Sequence, residues 1–168
     1  MKKKPAAFLD RDGVINYDYG YIYKYDDFKF RPGVIKGLQY LKKKKFKIFI
    51  VTNQSGIARG IFTEKDLSLL HRKLKKILSE NKIKLDEIKY SPYHPKGIIK
   101  KFAKKHKSRK PDNLMVKEIL KKWPIDIKKS FMIGDKLSDQ KCAKKSRLYF
   151  EYANQNFYYQ IKNILKNI

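Results

Sequence analysis

The sequence predicts an α/β fold, a doubly wound and mostly parallel sheet with helices on both faces. Three observations lead there. Short apolar runs alternate along the chain with longer segments whose apolar residues recur at helical spacing. With 168 residues and 42% apolar composition, the chain can bury a substantial core and lies outside disordered composition. Three of the apolar runs stop at polar residues, Asp10, Thr52 and Asp135. In open α/β sheets the functional crevice lies beyond the carboxyl ends of the strands.

Residues 5–9 are the first strand candidate, apolar and cut off at Asp10. Residues 16–30 read as a loop. Over residues 33–45, Val34, Ile35, Leu38 and Leu41 recur at helical spacing, and Pro32 precedes them as a start signal. Residues 46–51 are a buried strand candidate that ends at Thr52. Thr63-Glu64-Lys65-Asp66 is a capping-box variant with Asp in place of the usual Glu or Gln. The helix it opens aligns Leu67, Leu70, Leu74, Ile77 and Leu78, with His71 expected at its surface. Ile88 and Tyr90 belong to a short strand. Residues 91–111 form a Lys-rich loop with Pro92, Pro95, Gly97 and Pro111, followed by a helix over 113–122. Residues 130–134 are another strand, stopped at Asp135. A short helix over 139–145 leads to a last strand at 148–150, and Phe157, Ile161, Ile164, Leu165 and Ile168 make 155–168 an amphipathic helix. No repeat, linker or composition break divides the chain, so residues 1–168 read as a single domain.

Lys and Arg total 42 against 16 Asp and Glu, a net charge of +26. Such a charge attracts polyanions. Only six of the basic residues are Arg, the residue suited to bidentate base and phosphate readout, so a solvated Lys surface is expected. Nucleic acid is then expected only as a non-specific electrostatic partner. The longest apolar runs, such as Ile48-Phe49-Ile50-Val51, are far short of a membrane span. Met1-Lys2-Lys3-Lys4 has the charge of a signal n-region but no apolar h-region follows. Cys142 is the sole cysteine, which excludes an internal disulfide and a thiolate-rich metal site. A cytoplasmic monomer with no membrane partner is the expectation.

The scarce acids are informative where they cluster. Asp10-Arg11-Asp12-Gly13 places two carboxylates two residues apart at a strand end, on one side if the strand continues. Two such carboxylates repel unless a cation or a shared proton intervenes, and Mg2+ is an oxygen-loving ion that needs few carboxylates. Gly134-Asp135-Lys136-Leu137-Ser138-Asp139 offers a second acidic pair after a strand. Thr52-Asn53-Gln54-Ser55-Gly56 supplies a hydroxyl, amides and backbone N–H groups that suit phosphoryl oxygens. Arg109-Lys110-Pro111 adds a fork donor and a point charge ahead of a helix.

In this order the segments resemble the four motifs of the haloacid dehalogenase-like (HAD) phosphatase superfamily, carried by residues 8–16, 51–54, 109–111 and 134–139. Gly20-Tyr21, Phe30-x-Pro32-Gly33-Val34, residues 54–60 and His94-Pro95-x-Gly97 narrow the resemblance to the D-glycero-D-manno-heptose 1,7-bisphosphate 7-phosphatases and the related histidinol-phosphate phosphatases. It spans about residues 6–150. It implies a Rossmann-like HAD core. The intervals between motifs are filled by the elements above, so no cap domain is expected and loops 16–30 and 91–109 are the only shields.

The resemblance implies a Mg2+-dependent phosphatase. Asp10 is the implied nucleophile that forms an aspartyl-phosphate, and Asp12 the acid and base. Asp10, the Asp12 carbonyl and Asp135 are the implied Mg2+ ligands. Thr52 and Lys110 stabilise the phosphoryl group, while Asp139 supports Lys110 or the metal's waters. Asp18, Tyr19, Gly20, Tyr21, Asn53, Gln54, Ser55, Arg109 and Lys136 are the implied substrate-binding residues, with Arg109 suited to a second phosphate. The implied substrate is a heptose bisphosphate in surface-polysaccharide synthesis. The alternatives are histidinol phosphate, a nucleic-acid 3′-phosphate, or a non-catalytic polyanion binder. The subfamily's structural zinc uses Cys-x-His and Cys-x-Cys. The matching positions hold Ser91, Tyr93, His106 and Ser108, so no zinc is expected and His94 and His106 are read as exposed loop residues.

Overall fold

The computed structural model describes residues 2–168, leaving Met1 of the Lys-rich start outside the described residues. Five strands, β1 (Ala6–Leu9), β2 (Lys47–Asn53), β3 (Glu87–Ser91), β4 (Phe131–Gly134) and β5 (Tyr149–Tyr152), form one parallel sheet in the order β3-β2-β1-β4-β5. The chain reverses its direction of travel across the sheet between β3 and β4, so β1 lies at the switch point, flanked by β2 and β4. This is where crevices open at the carboxyl ends of such sheets.

Alternation along the strands sends successive side chains to opposite faces. Ala7, Leu9, Ile48, Ile50, Phe131 and Ile133 meet α1 (Val34–Lys43), α2 (Glu64–Glu80) and α5 (Phe157–Asn167) on one face. Ala6, Phe8, Phe49, Val51 and Met132 meet α3 (Leu114–Lys122) and α4 (Leu137–Lys145) on the other. β1 is buried throughout, which explains its unbroken apolar sequence. A smaller cluster of Ile57, Ala58, Phe62, Leu67 and Phe102 lies under the loops that follow β2 and β3.

The expected elements are present with shifted ends. β2 runs two residues past 51, to Asn53, and β5 continues to Tyr152. Short 3-10 turns at Tyr25–Asp27 and Ile127–Lys129 have no periodic signal in the sequence. The Thr63 capping box forms in full: Thr63 Oγ1 accepts from the Asp66 N–H at 3.2 Å, and Asp66 Oδ2 accepts from the Thr63 N–H at 2.8 Å. His71 is not at the surface. One turn from Leu67 and Leu74, it shares their buried face. The aromatic residues near the C-terminus divide, Phe157 entering the core while Tyr149, Tyr152 and Tyr159 stay exposed. Among the described residues no separate folded unit stands over the carboxyl edge of the sheet.

Candidate active site

The ends of β1, β2 and β4 open into a cleft of about 220 Å³ lined by Asp10, Asp12, Asp18, Gly20, Tyr21, Asn53, Gln54, Ser55, Gly56, Lys110, Lys136, Ser138 and Asp139. Ten of the implied catalytic, metal-binding and substrate-binding residues, together with Asp139, therefore line one cleft. Four do not line it. Thr52 is fully buried, Asp135 is partly buried, Arg109 is half-buried, and Tyr19 is exposed with its ring stacked on Tyr17 at 5.9 Å.

Asp10 continues β1 and is almost completely buried. Its Oδ1 accepts from the Arg11 N–H at 2.8 Å and pairs with Lys110 Nζ at 3.0 Å, which fixes the carboxylate and leaves Oδ2 for chemistry. Burial pushes its pKa up to about 7. Lys110 works against that shift, while Asp139, Asp12 and Asp135 add to it. Lys110 reaches inward between three acceptors, Asp10 Oδ1, Asp139 Oδ1 at 2.5 Å and the Val51 carbonyl at 2.8 Å. Burial alone would lower the ammonium's pKa, but Asp10 and Asp139 outweigh it and hold the charged form. Asn53 fixes the backbone of Lys110 from the end of β2, donating to its carbonyl and accepting from its N–H, both at 3.0 Å. Asp139 braces the assembly from α4, its Oδ2 accepting from the N–H groups of Asp135 (3.2 Å) and Lys136 (3.0 Å).

Asp12 faces the same cleft under different control. Its carboxylate accepts from Arg11 Nη2 at 2.8 and 2.9 Å, Asn16 Nδ2 at 2.9 Å and Gln54 Nε2 at 2.8 Å. Gln54 Nε2 also donates to Thr52 Oγ1 at 2.9 Å, so one amide links the two motifs. Arg11 is wholly buried and is completed by the Ile22 carbonyl at 2.5 Å and His71 Nε2 at 3.2 Å. Sequence reading missed Arg11 and His71 as parts of the site. The helical spacing of His71 with Leu67 was the available signal, but only the fold shows that this face of α2 reaches the β1 turn.

Carboxylate oxygens of Asp10, Asp135 and Asp139 lie within 4.8 Å of one another. Asp135 Oδ1 is buried without a hydrogen-bond partner, and burial raises the Asp135 pKa. A buried, unpaired carboxylate oxygen beside two further acids is the donor set a hard divalent cation fits. The Asp12 side chain lies outside this trio, and any role for that residue at a cation falls to its backbone carbonyl. Gly13, at φ +82°, allows the close approach, because a Cβ there would collide with the Asp135 carboxylate. Lys136 reaches across to Asp18 Oδ2 at 3.2 Å.

The four positions that match the zinc ligands come together without a thiolate. The Tyr93 and His106 rings stack at 4.0 Å, His106 Nδ1 lies 2.7 Å from Ser108 Oγ, and Ser108 Oγ lies 3.0 Å from Ser91 Oγ. His94 and His106 are partly buried rather than exposed, because the 91–111 loop packs back on the turn after β2.

A family model described as polynucleotide kinase 3 phosphatase matches residues 10–164. The chain is 35% identical over 164 residues to a D-glycero-beta-D-manno-heptose-1,7-bisphosphate 7-phosphatase of Rhodopseudomonas palustris, covering 97% of this chain and 91% of the relative. It is 44% identical over 142 residues to the protein of that name from Escherichia coli K12, covering 84% and 74%. Among solved structures it resembles a HAD-like protein from Mesorhizobium loti, with 27% identity, TM-score 0.87, and 98% and 85% of the two chains covered. It also resembles a D,D-heptose 1,7-bisphosphate phosphatase from B. bronchiseptica complexed with magnesium and phosphate, with 22% identity, TM-score 0.85, and 98% and 99% covered.

Proposed function

The chain belongs to the HAD-superfamily phosphatases, in the family of the heptose-1,7-bisphosphate 7-phosphatases, and from that premise we propose that it removes the 7-phosphate of D-glycero-D-manno-heptose 1,7-bisphosphate with Mg2+. The observation that carries this reading is the pairing of Asp10 and Asp12 in one cleft under opposite constraints. Asp10 is clamped on one oxygen by Lys110 and the Arg11 N–H, and Asp12 is steered by Arg11, Asn16 and Gln54.

In the proposed reaction Asp10 Oδ2 attacks phosphorus and forms an aspartyl-phosphate. Asp12 donates a proton to the leaving sugar oxygen, then takes one from the water that hydrolyses the intermediate. Lys110 and the Thr52 hydroxyl stabilise the phosphoryl oxygens. Asp10, Asp135 and the Asp12 carbonyl hold the cation, with Asp139 bracing Lys110; when bound, Mg2+ offsets the repulsion between carboxylates and phosphate. Asp18, Tyr19, Gly20, Tyr21, Asn53, Gln54, Ser55 and Lys136 meet the sugar, and Arg109 meets its second phosphate. We read the chain as one domain, a cytoplasmic monomer that works without zinc, the Tyr93–His106 stack and the Ser91–Ser108 contact standing where the metal would. Nucleic acid is left as a non-specific electrostatic partner.

A phosphate-release screen with Mg2+ over heptose 1,7-bisphosphate, histidinol phosphate and a 3′-phosphorylated oligonucleotide tests the assignment. The highest kcat/KM is expected for the heptose ester, and a higher value on either rival overturns it. Asp10→Asn is expected to abolish turnover with the fold intact, and substantial residual activity refutes the nucleophile.

A further inference from the structure

Next to the cleft residue Ser55 lies a cluster that is short of hydrogen-bond acceptors. Arg59 Nη2 meets His94 Nε2 at 3.2 Å, while Arg59 Nε is buried without a partner. The other ring nitrogen of His94, Nδ1, faces the Lys96 backbone N–H at 3.1 Å. A neutral imidazole offers one acceptor nitrogen, so one of these two contacts sets a donor against a donor. The Arg109 guanidinium donates to the Tyr93 carbonyl at a long 3.3 Å. Among the described residues neither Arg59 nor Arg109 pairs with a carboxylate, although shorter Lys–acid pairs form elsewhere on the molecule.

The fold holds these cations together rather than letting them separate. The Arg59 N–H donates to the Ser55 carbonyl at 3.1 Å, which ties Arg59 to the cleft wall. The Ala58 carbonyl accepts from both Ile98 (2.8 Å) and Ile99 (2.9 Å), and Gly97 packs so closely on Ala58 that a Cβ would collide. The loop bearing His94 is thus fastened to the turn bearing Arg59. Burial and then Arg59 lower the Arg109 pKa, and burial, Arg109, Arg59 and Lys96 lower that of His94.

We propose that Arg59 and His94 complete, with Arg109, a distal oxyanion subsite that takes the second phosphate of a sugar bisphosphate, and that Arg59 is a specificity-determining residue. An oxyanion there supplies the missing acceptors. It takes hydrogen bonds from Arg59 and the Arg109 fork, and His94 keeps Nδ1 as acceptor for Lys96 while donating from Nε2. The proposal rests on the sugar-phosphatase reading and extends it to two residues outside the catalytic motifs.

The test is the ratio of kcat/KM for heptose 1,7-bisphosphate to that for heptose 7-phosphate, which share the reacting phosphate. Arg59→Gln is expected to lower this ratio at least tenfold through KM, with Arg59→Lys intermediate. A ratio that stays within twofold of the wild type, whether from equal loss on both esters or from no loss, overturns the proposal. If the wild type hydrolyses neither heptose ester, the substrate reading fails while the subsite remains testable. The 15N signals of the His94 ring are then followed during titration with fructose 1,6-bisphosphate and with fructose 6-phosphate. A shift specific to the bisphosphate and lost in Arg59→Gln supports the subsite, and its absence overturns it.

Discussion

Asp10 and Arg11 are neighbours in sequence with different fates. Asp10 is visible in the sequence because an acid directly after an apolar run is unusual. The role of Arg11 is invisible there because its partners are Asp12, the Ile22 carbonyl and His71, the last brought in from α2. Without metal, Asp10 titrates near 7 because burial disfavours its charged form, so below that pH a cation must displace a proton. Mg2+ affinity is therefore expected to weaken up to about tenfold per pH unit on going below 7, read by calorimetry at pH 6 and 8. Equal affinity at both would contradict the burial of Asp10. His71 shifts the other way, its pKa pushed down to about 3 by burial and then by Arg11 and Lys75. Between about 3 and its ordinary 6.5, the unfolded chain binds a proton that the folded one does not. Stability is thus lost as pH falls through that window. Urea unfolding from pH 7 to 4 is expected to show this loss, and His71→Gln should flatten it; an unchanged slope in the variant would place the acid sensitivity elsewhere.

Helix starts and strand ends decide which of these residues meet. The Thr63 box is written in four residues of sequence and forms as written, since its hydrogen bonds are local. Thr63→Ala is expected to cost about 1 kcal/mol in chemical denaturation, and no measurable loss would mean that packing of α2 alone sets its start. The turn from β4 into α4 is less legible. Gly134 reads as a strand end, yet its backbone lies against the Asp139 side chain so closely that a Cβ would collide with the carboxylate. Gly134→Ala is expected to displace Asp139, unpair Lys110 and lower kcat more than a change of the same size on the exposed face of α4. A variant with wild-type kcat would show that Lys110 does not need that brace. Strand ends were blurred in the sequence for a related reason: Thr52 and Asn53 are polar but still pair with β3, because the sheet satisfies their backbone whatever their side chains.

Across the whole molecule, the net charge of +26 is spread along a chain whose acids are gathered partly in the cleft. A field of this sign draws anionic substrates inward and is screened over about 10 Å at 0.1 M salt. The kcat/KM for a bisphosphate is expected to fall about tenfold between 20 and 500 mM salt, and less for a monophosphate. A salt-independent kcat/KM would reduce the lysines to a solvated coat. The architecture at this scale was readable in advance, because alternating strand and helix periods in one sheet leave few topologies open. That Tyr149, Tyr152 and Tyr159 remain outside was not readable, because an aromatic residue at an edge strand or on an outer helix face has the same local sequence as one inside.

By itself the sequence determined the parallel α/β sheet, the three strand ends at which the site lies, and the acids, Lys110 and amides that line it. Periodicity and abrupt polar stops are local properties, and residues within one motif move together. Tertiary structure alone decided which of those groups touch. It turned the Asp12 carboxylate toward Arg11, Asn16 and Gln54, and set Asp139 rather than the Asp12 side chain beside Asp10 and Asp135. It buried His71 behind Arg11, and it set Arg59 against His94 with the Arg59 Nε buried and unpaired. The contacts of Asp12 with Gln54, Arg11 with His71 and Arg59 with His94 join residues tens of positions apart, so they are set by the packing of helices and loops on the sheet and leave no periodic trace in the chain.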